Sequence, residues 1–315
     1  MLRPFRSRIP HVFTGYQHLR IKWARVVTFQ DDMVCLRAAV AGSYPYSPKK
    51  LVHTQTQEEA MPKELRREIL ATRPRPMREE LTQESTVTRE MLEKCDIAPY
   101  KHREAKSMGD TFAYRLVRFL RLFPDTYFGK NHYMRVVMLE TIAAVPGMVG
   151  AAVRHMRSLR SMESDGGWIV HLLHEAENER MHLMIFIKFL QPGLLNRLVM
   201  LTAQGIFLGA YTVFYLASPK TAHRFAGYLE EEAIQSYTHF LQDLDNGVVK
   251  DCPAPQMAID YYNLEPHSTV RDVVLAVRMD EAVHRDTNHF LSDRVAIGKE
   301  NLLDIAKETD NNADK

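Results

Sequence analysis

Beyond residue 110 the chain repeats apolar positions at helical spacing, with helix breakers between the repeats. Phe112, Leu116, Phe119, Leu120 and Phe123 form one apolar stripe beside Arg115, Arg118 and Arg121, a spacing that predicts an amphipathic helix. A second helix is expected through Arg135, Leu139 and Glu140 toward Val153, kinked at Pro146 and Gly147. A third is expected from about Trp168 to Leu190, stopped by Pro192 and Gly193. Residues 198–217 are uncharged throughout and long enough to span a bilayer. Another helix carries Glu230 up to about Asp243, and after a loop at 251–266 Thr269 and Asp272 spell a capping box that opens the last one. The pattern is all-α.

The flanks read differently. From about Pro45 to Met108 the chain is polar, with the breakers Pro74 and Pro76 between arginines, which predicts an extended arm with short helices at most. Residues 1–30 hold Arg3, Arg6, Arg8, Arg20, Lys22 and Arg25, with no acid before Asp31 and with Phe5, Ile9, Val12, Phe13 and Ile21 interspersed. Arg-rich and acid-free is the composition of a mitochondrial transit peptide; a basic arm retained on the protein is the other reading. The expected division is a transit peptide at 1–45, a polar arm at 46–108, a helical bundle at 109–298 and a polar, frayed tail at 299–315.

Composition narrows the function. The 315 residues, 45% hydrophobic, suffice for a full core in one or two domains. With 41 basic and 39 acidic residues there is no charge signature of a nucleic-acid partner. Cys35, Cys95 and Cys252 lie far apart without CxxC spacing, so they predict neither a disulfide framework nor a zinc site.

The chemistry lies in two ExxH units, Glu179 with His182 and Glu281 with His284. A spacing of three puts each carboxylate and imidazole on one helix face. With the lone glutamates Glu140 and Glu230 the order is E, ExxH, E, ExxH, the ligand order of a carboxylate-bridged di-iron site in a ferritin-like four-helix bundle. Carboxylates with one imidazole per metal suit iron or manganese with open positions. Glu140 stands within an apolar run, where a charge is costly unless paired or metal-bound. Glu230 opens the run Glu230, Glu231, Glu232, and a solvated charged face competes with a ligand role there. Tyr237, two turns beyond Glu230, returns to nearly the same face. It is positioned either to relay an electron and a proton or to serve as a structural buried phenol. Asn178, Asp280, Arg285 and Asp286 flank the ligands and are candidates to orient the imidazoles.

Two readings of the apolar segment compete. Hydropathy makes 198–217 transmembrane, but one crossing there separates Glu179 and His182 from Glu230, Glu281 and His284. If the six residues share one metal pair, the segment lies in the interface plane as part of a monotopic protein. The stripe with Arg115, Arg118 and Arg121 likewise fits either a membrane surface or an ordinary core-facing helix.

The segments LETIAAVPGMV at 139–149, EAENERMHL at 175–183, LEEEA at 229–233 and DEAVHRD at 280–286 resemble the alternative oxidase family, over roughly 110–293. The resemblance implies a mitochondrial quinol oxidase that reduces oxygen to water without pumping protons, built on a di-iron bundle attached to the matrix leaflet of the inner membrane as a homodimer. It implies Glu140, Glu179, His182, Glu230, Glu281 and His284 as ligands of two irons, and Tyr237 as the catalytic tyrosine. Arg135, Leu139, Ala233, Ser236 and Arg121 match its quinol pocket, serine standing where some members have threonine. Departures are Met134 for a cysteine of plant members, Val283 for a histidine, His174 for a glutamate and Tyr262 for a tryptophan. The expected function is ubiquinol oxidation by O2. A di-iron hydroxylase acting on a quinone ring and a non-enzymatic protein anchored through 198–217 are the alternatives.

Overall fold

The computed structural model describes residue 76 and residues 86–302 except 96 and 299. The expected transit peptide, most of the polar arm and most of the tail lie outside the described residues. Among the described residues all regular structure is helical: α1 (Arg89–Lys94), α2 (Met108–Phe128), α3 (His132–Ala143), α4 (Val145–Ser161), α5 (Trp168–Phe189), α6 (Leu194–Ala217), α7 (Pro219–Asp245), α8 (Gln256–Tyr262) and α9 (Val270–Ala296).

Local chemistry sets the ends. In α9 the Thr269 side chain accepts from the backbone of the third helical residue while Asp272 reaches back to the Thr269 N–H, the expected capping box. Ser107 and Asp110 build the same device on α2, which sequence pattern did not single out. The helix expected from Arg135 to Val153 is two helices, α3 and α4, divided at Ala144. The break falls just before Pro146, which lacks an N–H and sits in the first turn of α4, where no intrahelical partner is needed.

The core sits between α3, α5, α7 and α9, where Val137, Ile185, Phe186, Ile234, Phe240, Val273 and Val277 are fully buried. α7 and α9 pack along most of their length, α3 and α4 lie on α5, and α2 lies on α7. At Gly147 of α4 an added Cβ would stand 2.6 Å from the Leu172 carbonyl oxygen, so glycine there sets the close approach of α4 to α5. Below the core, α1 is tied to α9 by Arg89, whose Nε and Nη2 meet both oxygens of Asp272 at 2.5 and 2.9 Å. Cys252 is disulfide-bonded and Cys95 is free, a pairing that sequence spacing did not predict because it depends on chain approach.

Two helices turn apolar faces outward. On α6, Leu194, Leu198, Leu201, Ile206, Val213 and Leu216 are exposed. On α2 the expected stripe of Phe112, Phe119, Leu120 and Phe123 is also exposed, while Ala113, Val117 and Phe128 are buried. The core-facing alternative therefore fails for the phenylalanines of that stripe: α2 packs through Ala113, Val117, the half-buried Leu116 and the terminal Phe128, and turns Phe112, Phe119 and Phe123 out. The two faces adjoin, since Phe112 meets Phe214 edge-on at 6.0 Å. Among the described residues two helical stretches are, by length and composition, apolar enough to cross a membrane, His132–Ser161 and Leu194–Ala217.

Candidate metal centre

Each of the four central helices delivers a carboxylate to one point in the core. Glu140 comes from α3, Glu179 and His182 from α5, Glu230 from α7, Glu281 and His284 from α9. They converge as two overlapping groups, Glu140, Glu179, His182 and Glu281, and Glu179, Glu230, Glu281 and His284, with ligand atoms in each group within 4.8 Å of one another. Glu179 and Glu281 belong to both, as residues shared between two ions would. All six are buried.

The run of three glutamates separates on α7 because successive helical residues point about 100° apart. Glu230 enters the cluster; Glu231 accepts from His289 and from the Arg103 N–H and lies 2.6 Å from His102 Nδ1; Glu232 pairs with Arg118 and Arg121. The solvated-face alternative therefore fails for Glu230.

Inside the cluster the polar atoms crowd one another, and the one hydrogen bond between its imidazoles and carboxylates joins His284 Nδ1 to Glu281 Oε2. His182 Nδ1 lies 3.3 to 3.6 Å from oxygens of Glu281, Glu179 and Glu140, and His284 Nδ1 lies 2.6 Å from Glu179 and 3.3 Å from Glu281. Glu140 Oε2, Glu179 Oε2 and His182 Nδ1 are buried without a hydrogen-bond partner. Buried carboxylates of this density need a counter-charge. Protons are the one the polypeptide can supply. Burial and then the neighbouring Glu179 push Glu140 well above the usual carboxylate range, and burial and then Glu281 do the same to Glu230. Burial opposes ionisation of Glu179 too, yet His284 and His182 hold it well below that range. A pair of multivalent cations is the other counter-charge, and four carboxylates with two imidazoles aimed at one spot fit it.

Around the cluster, His182 sends its Nε2 toward Asp280 Oδ2 at 3.3 Å. The same oxygen accepts from Asn178 Nδ2 at 2.9 Å and from the Tyr262 hydroxyl at 3.0 Å. Asp280 and Asn178 thus stand where an orienting group belongs, whereas Arg285 and Asp286 pair with each other and turn to Ala98 and Lys101. The sequence marked Tyr262 as a departure from its relatives without giving it a contact; its bond to Asp280 is a tertiary one. Tyr237 donates its hydroxyl to Glu140 Oε1 at 2.6 Å. Burial and then Glu140 hold its pKa well above 10, so the phenol stays neutral and keeps its proton.

Arg135 and Ser236 meet at 3.3 Å. Arg135 also binds Asp125 at 2.6 Å, which binds Arg121 at 3.1 Å. Three of the five residues expected around a quinol are thereby joined in one half-buried network between α2, α3 and α7; Leu139 and Ala233 are half-buried on α3 and α7.

Comparison with known proteins agrees with this geometry. Residues 89–293 match the family described as "Alternative oxidase". The chain is 48% identical over 280 residues to "Ubiquinol oxidase, mitochondrial" of Batrachochytrium dendrobatidis, covering 88% of this chain and 89% of that protein. It is 52% identical over 200 residues to the protein of the same name from Mangifera indica, covering 64% of this chain and 63% of that one. To "Alternative oxidase 3, mitochondrial" of Glycine max it is 54% identical over 200 residues, 64% of this chain and 61% of that one. With the matched region containing all six clustered residues, the chain belongs to the alternative oxidase family.

Proposed function

We propose that this chain is a mitochondrial ubiquinol oxidase with a di-iron centre. The observation that carries the reading is the convergence of both ExxH units with Glu140 and Glu230 in one buried cluster of a family member. Glu140, Glu179, His182, Glu230, Glu281 and His284 hold the two irons, which when bound supply the redox capacity to pass four electrons from two quinols to O2. The balance is two ubiquinols and one O2 giving two ubiquinones and two waters. No protons are pumped.

The polypeptide's own part is positional. Arg135 directs a guanidinium toward the quinol oxygen it binds, a charge-assisted bond that favours the deprotonated form. Leu139, Ala233, Ser236 and Arg121 complete that pocket. Tyr237 holds a proton on its hydroxyl, delivered at Glu140 Oε1 2.6 Å away. Asp280 fixes the His182 ring through Nε2, which leaves Nδ1 for metal. The surrounding apolar core excludes water from reactive oxygen species.

The exposed faces of α2 and α6 support attachment to the matrix leaflet of the inner membrane without crossing it. Ligands on both sides of α6 in sequence, on helices α5 and α7 that themselves carry many charges, support an in-plane α6. Exposed Met148, Met156 and Leu159 on α4 with Val170 and Leu173 on α5 offer a second apolar surface and support a homodimer. Oxygen uptake by purified protein given a soluble quinol in the presence of cyanide tests the function. Uptake with two irons per chain is expected; a requirement for an outside electron donor would favour ring hydroxylation, and no uptake by iron-loaded protein would overturn the reading.

A further inference from the structure

The two histidines of the cluster are supported unequally. His182 gives its second nitrogen to Asp280 at 3.3 Å. His284 turns Nδ1 toward Glu179 and Glu281, and its Nε2 is buried without a hydrogen-bond partner. A second buried atom without a partner is Glu175 Oε2. Glu175 precedes Glu179 by four residues, one turn away on the same face of α5. Its Oε1 accepts from Asn288 Nδ2 at 2.9 Å, and the same Nδ2 donates to the backbone carbonyl of His284 at 3.1 Å. One nitrogen therefore pins the Glu175 carboxylate beside the turn that carries His284. A metal-binding imidazole gives its other N–H to a carboxylate, a carbonyl or a water.

We infer that Glu175 is the positioning carboxylate of His284, receiving its Nε2–H directly or through one bridging water, as Asp280 does for His182. The assignment rests on the metal-centre reading above. It gives each imidazole a carboxylate behind it and leaves Nδ1 of both rings for metal. His171, one turn earlier on α5, also carries a buried Nε2 without a partner and is the competing neighbour for Glu175 Oε2.

Glu175→Gln separates this role from a merely structural one. The amide must keep its oxygen toward Asn288 Nδ2, which then sets an NH2 group against the Nε2–H of His284. Iron-loaded full-length protein in detergent is titrated with a competing chelator, and the iron-free proteins are melted. Glu175→Gln should surrender iron at roughly 10- to 100-fold lower chelator concentration than the parent, with its iron-free melting temperature close to the parent's. Glu177→Gln, an exposed partner of Arg180, should hold iron as the parent does. Retention by Glu175→Gln equal to the parent's overturns the inference; a parent that takes up no iron overturns the metal-centre reading instead. If Glu175→Gln does not fold, a crystal structure of the iron-loaded parent decides. His284 Nε2 bonded to Glu175 Oε2 or to one water shared with it is expected, whereas Nε2 bonded elsewhere, or Oε2 satisfied by His171 alone, overturns it.

Discussion

Tyr237→Phe removes one oxygen from the protein and nothing else. The phenol is 3% exposed, its ring lies 6.1 Å from that of Phe186, and its hydroxyl donates to Glu140 Oε1 at 2.6 Å. Phenylalanine keeps the ring and its packing, so no cavity larger than the hydroxyl opens. The loss is one hydrogen bond to an ionisable acceptor, worth about 1.5 to 3 kcal/mol. For a helical domain of this size that corresponds to a melting temperature lower by about 3 to 12 °C. Such a change leaves the folded fraction near unity at assay temperature, so a structural tyrosine predicts unchanged turnover per bound iron. A tyrosine that delivers the proton predicts a fall of about 10²- to 10⁴-fold in kcat. The quinol KM and the iron content should stay at parental values, because Arg135 and the six cluster residues are untouched. Steady-state oxygen uptake normalised to iron, run beside thermal melts, separates the two cases. Parental kcat in Tyr237→Phe would refute the reasoning and return the tyrosine to a packing role.

Glu179→Ala or His284→Ala should abolish iron binding and oxygen uptake while circular dichroism stays helical; iron retained at two per chain would show that the cluster is not the metal site. Arg135→Ala should raise the quinol KM with iron content unchanged, the lost charged donor costing about 1.5 to 3 kcal/mol, which is roughly 10- to 150-fold; an unchanged KM would remove Arg135 from the pocket. Cysteines introduced at Ser161 and His267, before and after α6, should be labelled from the same side of a sealed vesicle, and labelling from opposite sides would restore a spanning α6. Burial holds His223 down to about 4 against an ordinary 6.5, so the folded state binds fewer protons than the unfolded one between those values. His223 stability is then complete above about pH 6.5 and lost as pH falls toward 4, about 3 kcal/mol in all. Denaturant melts across that window should be less pH-dependent in His223→Gln, and an unchanged slope would count against it.

The sequence by itself carried the pairing within each ExxH unit, because a helix fixes which residues share a face. Glu179 with His182 and Glu281 with His284 are legible at a spacing of three, and the Thr269 and Asp272 cap at the same spacing, from contacts that never leave one turn. Family membership was equally legible, since its motifs are contiguous words. What the sequence left open was every question whose answer lies on another helix. Whether Glu230 was buried in the cluster or part of a wet run of charge depended on which way α7 turns toward α9. Whether Phe112, Phe119 and Phe123 of α2 faced the core depended on the helix burying its other side, Ala113 and Val117. Tyr237 and Glu140 meet across 97 residues, Asn178 and Asp280 across 102, and Glu175 and Asn288 across 113. Local spacing predicts a face but not what packs against it: the partner of a buried polar group is chosen by the close packing of the helices around it.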